Sequence, residues 1–222
     1  VAARARSIHL GEQYIGIDLN FLLGSTVLLG AVMLNGSIGR LEGVLLVVGY
    51  IVFAVYLAGE GGSGAVPSAS PRQRVAWLDV LVLVISAAGI YVGADWTVSN
   101  LQVLATGLGV SEAIVSVTVL SLGTTLPELM VSITASLRGQ AAMAVGNVLG
   151  SCVFNALAVA GLASMVGTVV VPASLMAFAL PFMAGSTLMF YLLAQDKRIS
   201  RAEGWLFLVA YVVFIVEISG LA

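Results

Sequence analysis

Residues Ser121-Leu122-Gly123-Thr124-Thr125-Leu126-Pro127-Glu128 put one carboxylate deep inside a long apolar run. Pro127 has no N–H and cannot bond the carbonyl of Gly123, and its ring pushes the preceding turn open. On a helix, the carbonyls around Gly123 and Thr124 are then free to face a cavity. Ser121, Thr124 or Thr125, and Glu128 are three or four residues apart and share one face. One carboxylate, two hydroxyls and freed carbonyls are all oxygen ligands, which suits a hard cation such as Ca²⁺ or Na⁺. An ordinary proline kink with a protonated Glu128 would use the same residues. A second polar stripe follows at Asn147, Ser151 and Asn155, spaced i, i+4 and i+8. Gly146 and Gly150 beside it form a GxxxG that would allow close helix approach. Helix-packing glue is the alternative role for this stripe. Taken together, the two stretches predict a two-helix oxygen site.

The surrounding chain is a membrane sequence. It has 222 residues, 60% hydrophobic and 9% charged, with a mean hydropathy of +1.10. A soluble domain carries about 25% charged residues. The composition excludes a soluble enzyme, a disordered chain and a nucleic-acid binder. The net charge of -2 decides nothing. A single Cys152 excludes an internal disulfide, and a single His9 argues against a His-ligated metal. Residues 1–16 are polar, with Arg4 and Arg6, and show no signal peptide.

Seven apolar segments, at 17–35, 40–59, 75–97, 111–137, 141–166, 171–195 and 201–221, predict an all-α, polytopic transmembrane helix bundle. They are too long and too continuously apolar for strands. Trp77 and Trp96 bracket the third segment as two interfacial anchors, about 28 Å apart on a helix. Glu128 is the one deep acid. Asp18, Glu42, Asp79, Asp95, Glu112, Asp196, Glu203 and Glu217 all read as interfacial or capping groups. Arg4, Arg6, Arg72, Arg74, Arg138, Lys197, Arg198 and Arg201 fall on the side of the N-terminus, and only Arg40 on the other. The positive-inside rule then makes the N-terminus cytoplasmic and the C-terminus external.

The chain also repeats itself. A shift of 161 residues aligns Gly24-Ser25-Thr26 with Gly185-Ser186-Thr187, and Arg40, Glu42, Gly43 and Tyr50 with Arg201, Glu203, Gly204 and Tyr211. The first segment thus matches the sixth, and the second matches the seventh. Partners five helices apart cross in opposite directions, which is an inverted-topology repeat. Residues 58–75 are rich in Gly, Ser and Pro and break the chain. The organisation expected is the last two helices of a first repeat at 1–60, a cytoplasmic linker at 61–74, and a complete five-helix repeat at 75–222. The counterparts of 75–170 would lie before Val1, so about 90 residues of a first repeat are expected upstream. A seven-helix protein that dimerises is the alternative.

At these motifs the chain resembles the calcium/cation antiporter family, which includes the sodium/calcium exchangers. The family pattern G-T-S-x-P-E reads Gly123-Thr124-Thr125-Leu126-Pro127-Glu128 here, and G-N-x-x-G-S-x-x-x-N/D reads Gly146 to Asn155. The lead-ins Gly93-Ala94-Asp95 and Gly109-Val110-Ser111-Glu112 are similar too. The resemblance implies an inverted five-plus-five repeat and exchange of Ca²⁺ for Na⁺ by alternating access, with a proton-coupled or other divalent-cation antiporter as the alternative. It makes Glu128 the main Ca²⁺ carboxylate, and Thr124 a carbonyl ligand. Thr125 and Ser151 become Na⁺ ligands, Ser121 a further carbonyl, and Asn155 the central position. Thr125 replaces the usual Ser, and Asn155 stands where many sodium/calcium members have Asp. Ca²⁺ and Na⁺ are transported ligands, and no cofactor is implied. The partners implied are those ions, the lipid bilayer and the missing N-terminal half, with no nucleic acid. The location implied is the plasma membrane.

A retinal protein needs a buried Lys, and the only Lys, Lys197, is in a loop. An intramembrane hydrolase needs a Ser/His, paired-Asp or His-rich set that is not in these segments. The orientation has a direct test. A reporter fused after Ala222 that works only in the cytoplasm should be silent, and a periplasmic-type reporter active; the reverse pattern would overturn the charge-based orientation.

Overall fold

The computed structural model describes residues 7–9, 19–60, 77–107, 112–196 and 198–221. The linker at 61–74, Asp18 and the basic residues Arg4, Arg6, Arg72, Arg74 and Lys197 lie outside them. The described helices are α1 (Leu19–Met33), α2 (Arg40–Glu60), α3 (Trp77–Gly107), α4 (Glu112–Leu137), α5 (Ala141–Val166), α6 (Ala173–Ala177), α7 (Ala179–Ala194) and α8 (Arg201–Leu221). Counting α6 and α7 as one segment, all seven expected segments are helical. Arg40–Gly59 and Ala141–Val166 are each long and apolar enough to cross a membrane, at mean hydropathy 2.2 and 1.8. The chain forms two compact units: Val1–Gly64 with Val131–Leu221, and Ala65–Met130 with Ala222.

In the first unit, α5 packs along α2 and against α1, while α7 packs on α1 and α8. Leu19, Leu22, Leu46, Phe53, Val145, Leu149, Val153 and Leu157 form its core. The tightest approach is between two glycines. A Cβ on Gly161 would sit 2.8 Å from Val47 Cγ2 and 2.9 Å from the Gly43 carbonyl oxygen. A Cβ on Gly43 would collide with Ser164 Oγ and the Gly161 carbonyl oxygen. The GxxxG expected to make such an approach does not make it at Gly150, where a Cβ would meet nothing within 4 Å. The seam lies three turns further along α5, where α2 supplies a matching glycine.

Helix ends follow local chemistry. Gly36 and Gly139 each adopt φ of +74° and end α1 and α4, because a left-handed residue costs glycine no Cβ clash. At Gly139 the bonds run from Gly139 N to Ser136 O (3.0 Å) and from Gln140 N to Ala135 O (2.9 Å). That is the paired closure of a Schellman motif. Only residues 138–140 separate α4 from α5, which makes the two an antiparallel helix hairpin. Glu42 Oε2 accepts from the amide of Gly39, and Glu203 Oε2 from the amide of Ser200. Both acids read as interfacial or capping in the sequence are thus caps.

Strands were not expected, yet two short antiparallel ribbons tie helix ends together. β1 (Ser7–His9) pairs with β4 (Arg198–Ser200), and β2 (Ser37–Ile38) with β3 (Val169–Val170). Both obey the 161-residue shift: Ile38 pairs with Val169, and its counterpart Ile199 pairs with Ile8. Strands of two or three residues have no periodicity for a sequence to display. The expected single segment at 171–195 is broken at Phe178 into α6 and α7. Pro181 has no N–H for the Ala177 carbonyl, so the ladder stops there.

The second unit contains α3 and residues 112–130 of α4. α3 is longer than the expected 75–97, with 31 residues. Trp77 opens it, but Trp96 and Asp95 lie well inside it rather than at its end. Continuous backbone bonding carries it through Val98–Gly107, past the point where apolar side chains thin out. Trp77 and Trp96 are both exposed.

The glycine seam can be tested by overpacking. Gly161→Leu should lower stability by about 1–3 kcal/mol, read as a lower midpoint by scanning fluorimetry in detergent. Gly150→Ala should stay within about 0.5 kcal/mol of wild type. Equal effects at the two sites would contradict the seam.

Candidate cation site

Glu128 lies on α4, which runs without interruption from Glu112 to Leu137 through Pro127. The Pro127 nitrogen still has no proton, so the bond to the Gly123 carbonyl is missing by chemistry. Glu128 Oε2 is shielded from solvent. Gly123 is buried and Thr125 exposed. Ser121 and Thr124 are on the same helix, and their side chains lie outside the described part of the structure.

Ser151 and Asn155 lie on α5, in the first unit. Ser151 Oγ donates to the carbonyl of Val148 (3.0 Å). That fixes its proton on the helix and leaves its lone pairs outward, the orientation a cation requires of a hydroxyl. Asn155 is the second residue of the i→i+5 stretch Phe154–Val159 of α5. Its carbonyl accepts from the amide of Ala160, five residues on. Such π segments occur mostly as single wide turns and frequently at functional sites. Among the described residues, no group of three or more His, Cys, Asp or Glu side chains could hold a metal ion. A cation held there would depend on hydroxyl, amide and carbonyl oxygens around few charges.

Asn155 also lines a cavity of about 440 Å³ bounded by α1, α5 and α7. Thr26, Thr187, Ser186, Cys152 and Phe190 line it too. Thr26 and Thr187 are exact counterparts under the 161-residue shift, and their Oγ1 atoms are 3.3 Å apart. Thr26 Oγ1 also bonds the Leu22 carbonyl (3.0 Å), so with its one proton placed there, Thr187 is the donor. A residue meets its own counterpart only on the two-fold axis of a symmetric pair. The local axis relating α1 to α7 therefore passes between these hydroxyls. The sequence marks both threonines as repeat positions and gives no sign that they touch.

Sequence reasoning missed Ser132. Its side chain is 2% exposed; its hydroxyl donates to the Ala144 carbonyl (3.3 Å) and accepts from Asn147 Nδ2 (3.0 Å). The i+4 spacing from Glu128 was the available signal.

An apolar helix bundle with an internal two-fold and oxygen-rich motifs on consecutive helices is a secondary-transporter architecture. Comparison with known proteins makes this specific. The model of the family described as sodium/calcium exchanger protein matches residues 78–219. The chain belongs to that family, whose members are membrane transporters and not enzymes. It is 30% identical to "Putative antiporter CaxA" of Alkalimonas amylolytica, covering 86% of this chain and 64% of that protein. It is 32% identical to "Sodium/calcium exchanger MaX1" of Methanosarcina acetivorans, covering 62% of this chain and 40% of that protein. The solved sodium-calcium exchanger NCX_Mj superposes with a TM-score of 0.74 at 26% identity, covering 95% of this chain and 67% of that one. The chain thus spans under two thirds of the length of the curated relatives it matches.

The threonine contact is open to cross-linking. In a Cys152→Ser background, Thr26→Cys with Thr187→Cys should cross-link within one chain under mild oxidation or a mercuric ion. Either single variant should not. Two free thiols in the double variant would contradict the axis.

Proposed function

We propose that this chain is part of a secondary active transporter that exchanges Ca²⁺ for Na⁺ by alternating access. The observation that carries the reading is a carboxylate inside an apolar helix, with one oxygen shielded from solvent, in a chain of this family. A charged carboxylate at the bilayer centre costs about 2.5–3.5 kcal/mol on insertion scales. Binding a cation removes that cost and leaves a neutral load that can cross between states.

In this reading Glu128 is the main Ca²⁺ ligand and also meets Na⁺. The Thr124 and Ser121 carbonyls complete its side of the shell, beside the Gly123 carbonyl that Pro127 leaves without a helical partner. Thr125 and Ser151 supply hydroxyl oxygens for Na⁺, and Asn155 lies between the ion positions. Asn155 brings an oxygen with no charge, so the second negative charge that neutralises Ca²⁺ comes from the counterpart of Glu128 in the other repeat. Residues 75–222 form one five-helix repeat, and 1–60 the last two helices of the other. The linker is cytoplasmic, the C-terminus external, and the membrane the plasma membrane. Na⁺ and Ca²⁺ compete for overlapping oxygens, and only loaded forms move between inward-open and outward-open states.

The test is ion flux. In proteoliposomes holding the full-length protein, an outward Na⁺ gradient should drive ⁴⁵Ca²⁺ uptake, and Glu128→Gln should reduce it to the level of empty vesicles. Uptake by Glu128→Gln at the wild-type rate would overturn the assignment. Uptake driven by a pH gradient and indifferent to Na⁺ would replace Na⁺ by H⁺ as the coupling ion.

A further inference from the structure

We propose that Ser132 is a positioning residue. Its link to Asn147 fixes the register of α5 against the last turns of α4 and, through it, the candidate ligands Ser151 and Asn155 that α5 carries. The inference rests on the exchanger reading above and adds a residue to it.

Ser132 is buried, and its hydroxyl has both roles filled: it donates to the Ala144 carbonyl on α5 and accepts from Asn147 Nδ2. Several other buried or half-buried hydroxyls turn back on their own helix, as Ser25 does to Leu22, Ser164 to Gly161 and Ser151 to Val148. Ser132 instead bridges to its neighbour, so it constrains sliding between helices and not only its own rotamer. The three-residue connection at 138–140, closed by Gly139, makes the hairpin short. A short hairpin with one interhelical polar link has little freedom to slip.

The spacing gives the link its meaning. Four residues before Ser132 on α4 is Glu128, and four before that is Thr124. Four residues after Asn147 on α5 is Ser151, and four after that is Asn155. Each step is close to one helical turn. On α5 the candidate ligands Ser151 and Asn155 therefore follow, turn by turn, from the residue that carries its half of the link. Losing the hydroxyl removes the bonds that tie Ser132 to the Ala144 carbonyl and the Asn147 amide, and with them the constraint on how α5 slides along the end of α4.

The test uses the full-length protein in proteoliposomes and reads half-saturating Ca²⁺ separately from maximal rate. Ser132→Ala should raise half-saturating Ca²⁺ roughly three- to tenfold, the loss expected from one membrane hydrogen bond. Ser132→Thr, which keeps the hydroxyl, should restore it. Thr134→Ala, on the exposed side of α4, should match wild type. Combining Ser132→Ala with Asn147→Ala should cost less than the sum of the two single effects, because both remove the Ser132–Asn147 bond. A Ser132→Ala variant with wild-type half-saturation overturns the proposal, as do fully additive effects. Hydrogen exchange over residues 141–151 reads the same cycle without transport, and should quicken in both singles and by less than their sum in the double. No Na⁺-driven uptake by wild type would overturn the exchanger reading and the positioning role together, whereas wild-type uptake with a silent Ser132 overturns the positioning role alone.

Discussion

Inside a hydrocarbon layer no water is at hand, so each polar group must find its partner within the protein. Most of this structure follows from that constraint. Ser25 and Thr26 give their protons to the Leu22 carbonyl, Ser151 to Val148 and Ser164 to Gly161. A hydroxyl can always do this, because a helical carbonyl lies three or four residues behind it. A carboxylate cannot. It has no proton to give to its own helix, and the helical amides are already bonded. A charged Glu128 therefore calls for a proton, a cation or a charged partner. That asymmetry separates the hydroxyls, which are quiet until an ion arrives, from the one acid that makes the helix a candidate ion path.

The fold's internal symmetry was legible in the sequence to an unusual degree. The aligned Gly-Ser-Thr and Arg-x-Glu-Gly stretches gave the shift of 161, and the same shift relates the two ribbons and the two glutamate caps. These marks survive because each does a job that few residues do: an acid in the first turn caps a helix, and a hydroxyl on the axis meets its own counterpart. Packing between repeats was not legible. Nothing in Gly24-Ser25-Thr26 says that Thr26, and not Ser25, reaches across to Thr187. That depends on how the helices rotate about their axes, which neighbours decide.

The misreadings share a cause. Hydropathy reports how a side chain partitions, and says nothing about where a backbone ladder stops. α3 passes its expected end because its amides keep bonding. The 171–195 segment breaks early because the Pro181 nitrogen cannot bond. In the same way, a glycine motif reports room for an approach and not the approach itself. Gly146 and Gly150 have the pattern, but Gly161 has the partner, since Gly43 lies opposite it on α2. The candidate site was half legible for a related reason. Glu128, Ser151 and Asn155 stand out because their residue types are costly in an apolar run. Ser132 does not stand out, because a serine in a membrane helix is common and its bond to Asn147 needs a second helix to exist.

α5 carries two stripes that must both stay straight. The polar one runs through Asn147, Ser151 and Asn155, and the packing one through Val145, Leu149, Val153, Leu157 and Gly161, all at steps of four. Four residues of ideal α-helix turn about 40° past a full circle. Over the four steps from Val145 to Gly161 an ideal packing stripe would wind far round the helix. Val145, Leu149, Val153, Leu157 and Gly161 are nevertheless all buried, where α5 packs on α1 at its start and on α2 at its end. The wide turn at Phe154–Val159 supplies the correction, because an i→i+5 ladder turns less per residue. Its place in the chain is informative. It includes Asn155, the last residue of the polar motif, and ends before the Gly161 seam, so the helix unwinds at the last candidate ligand and before the lock. One local irregularity thus lets a single helix hold a row of oxygens on one side and a glycine seam on another.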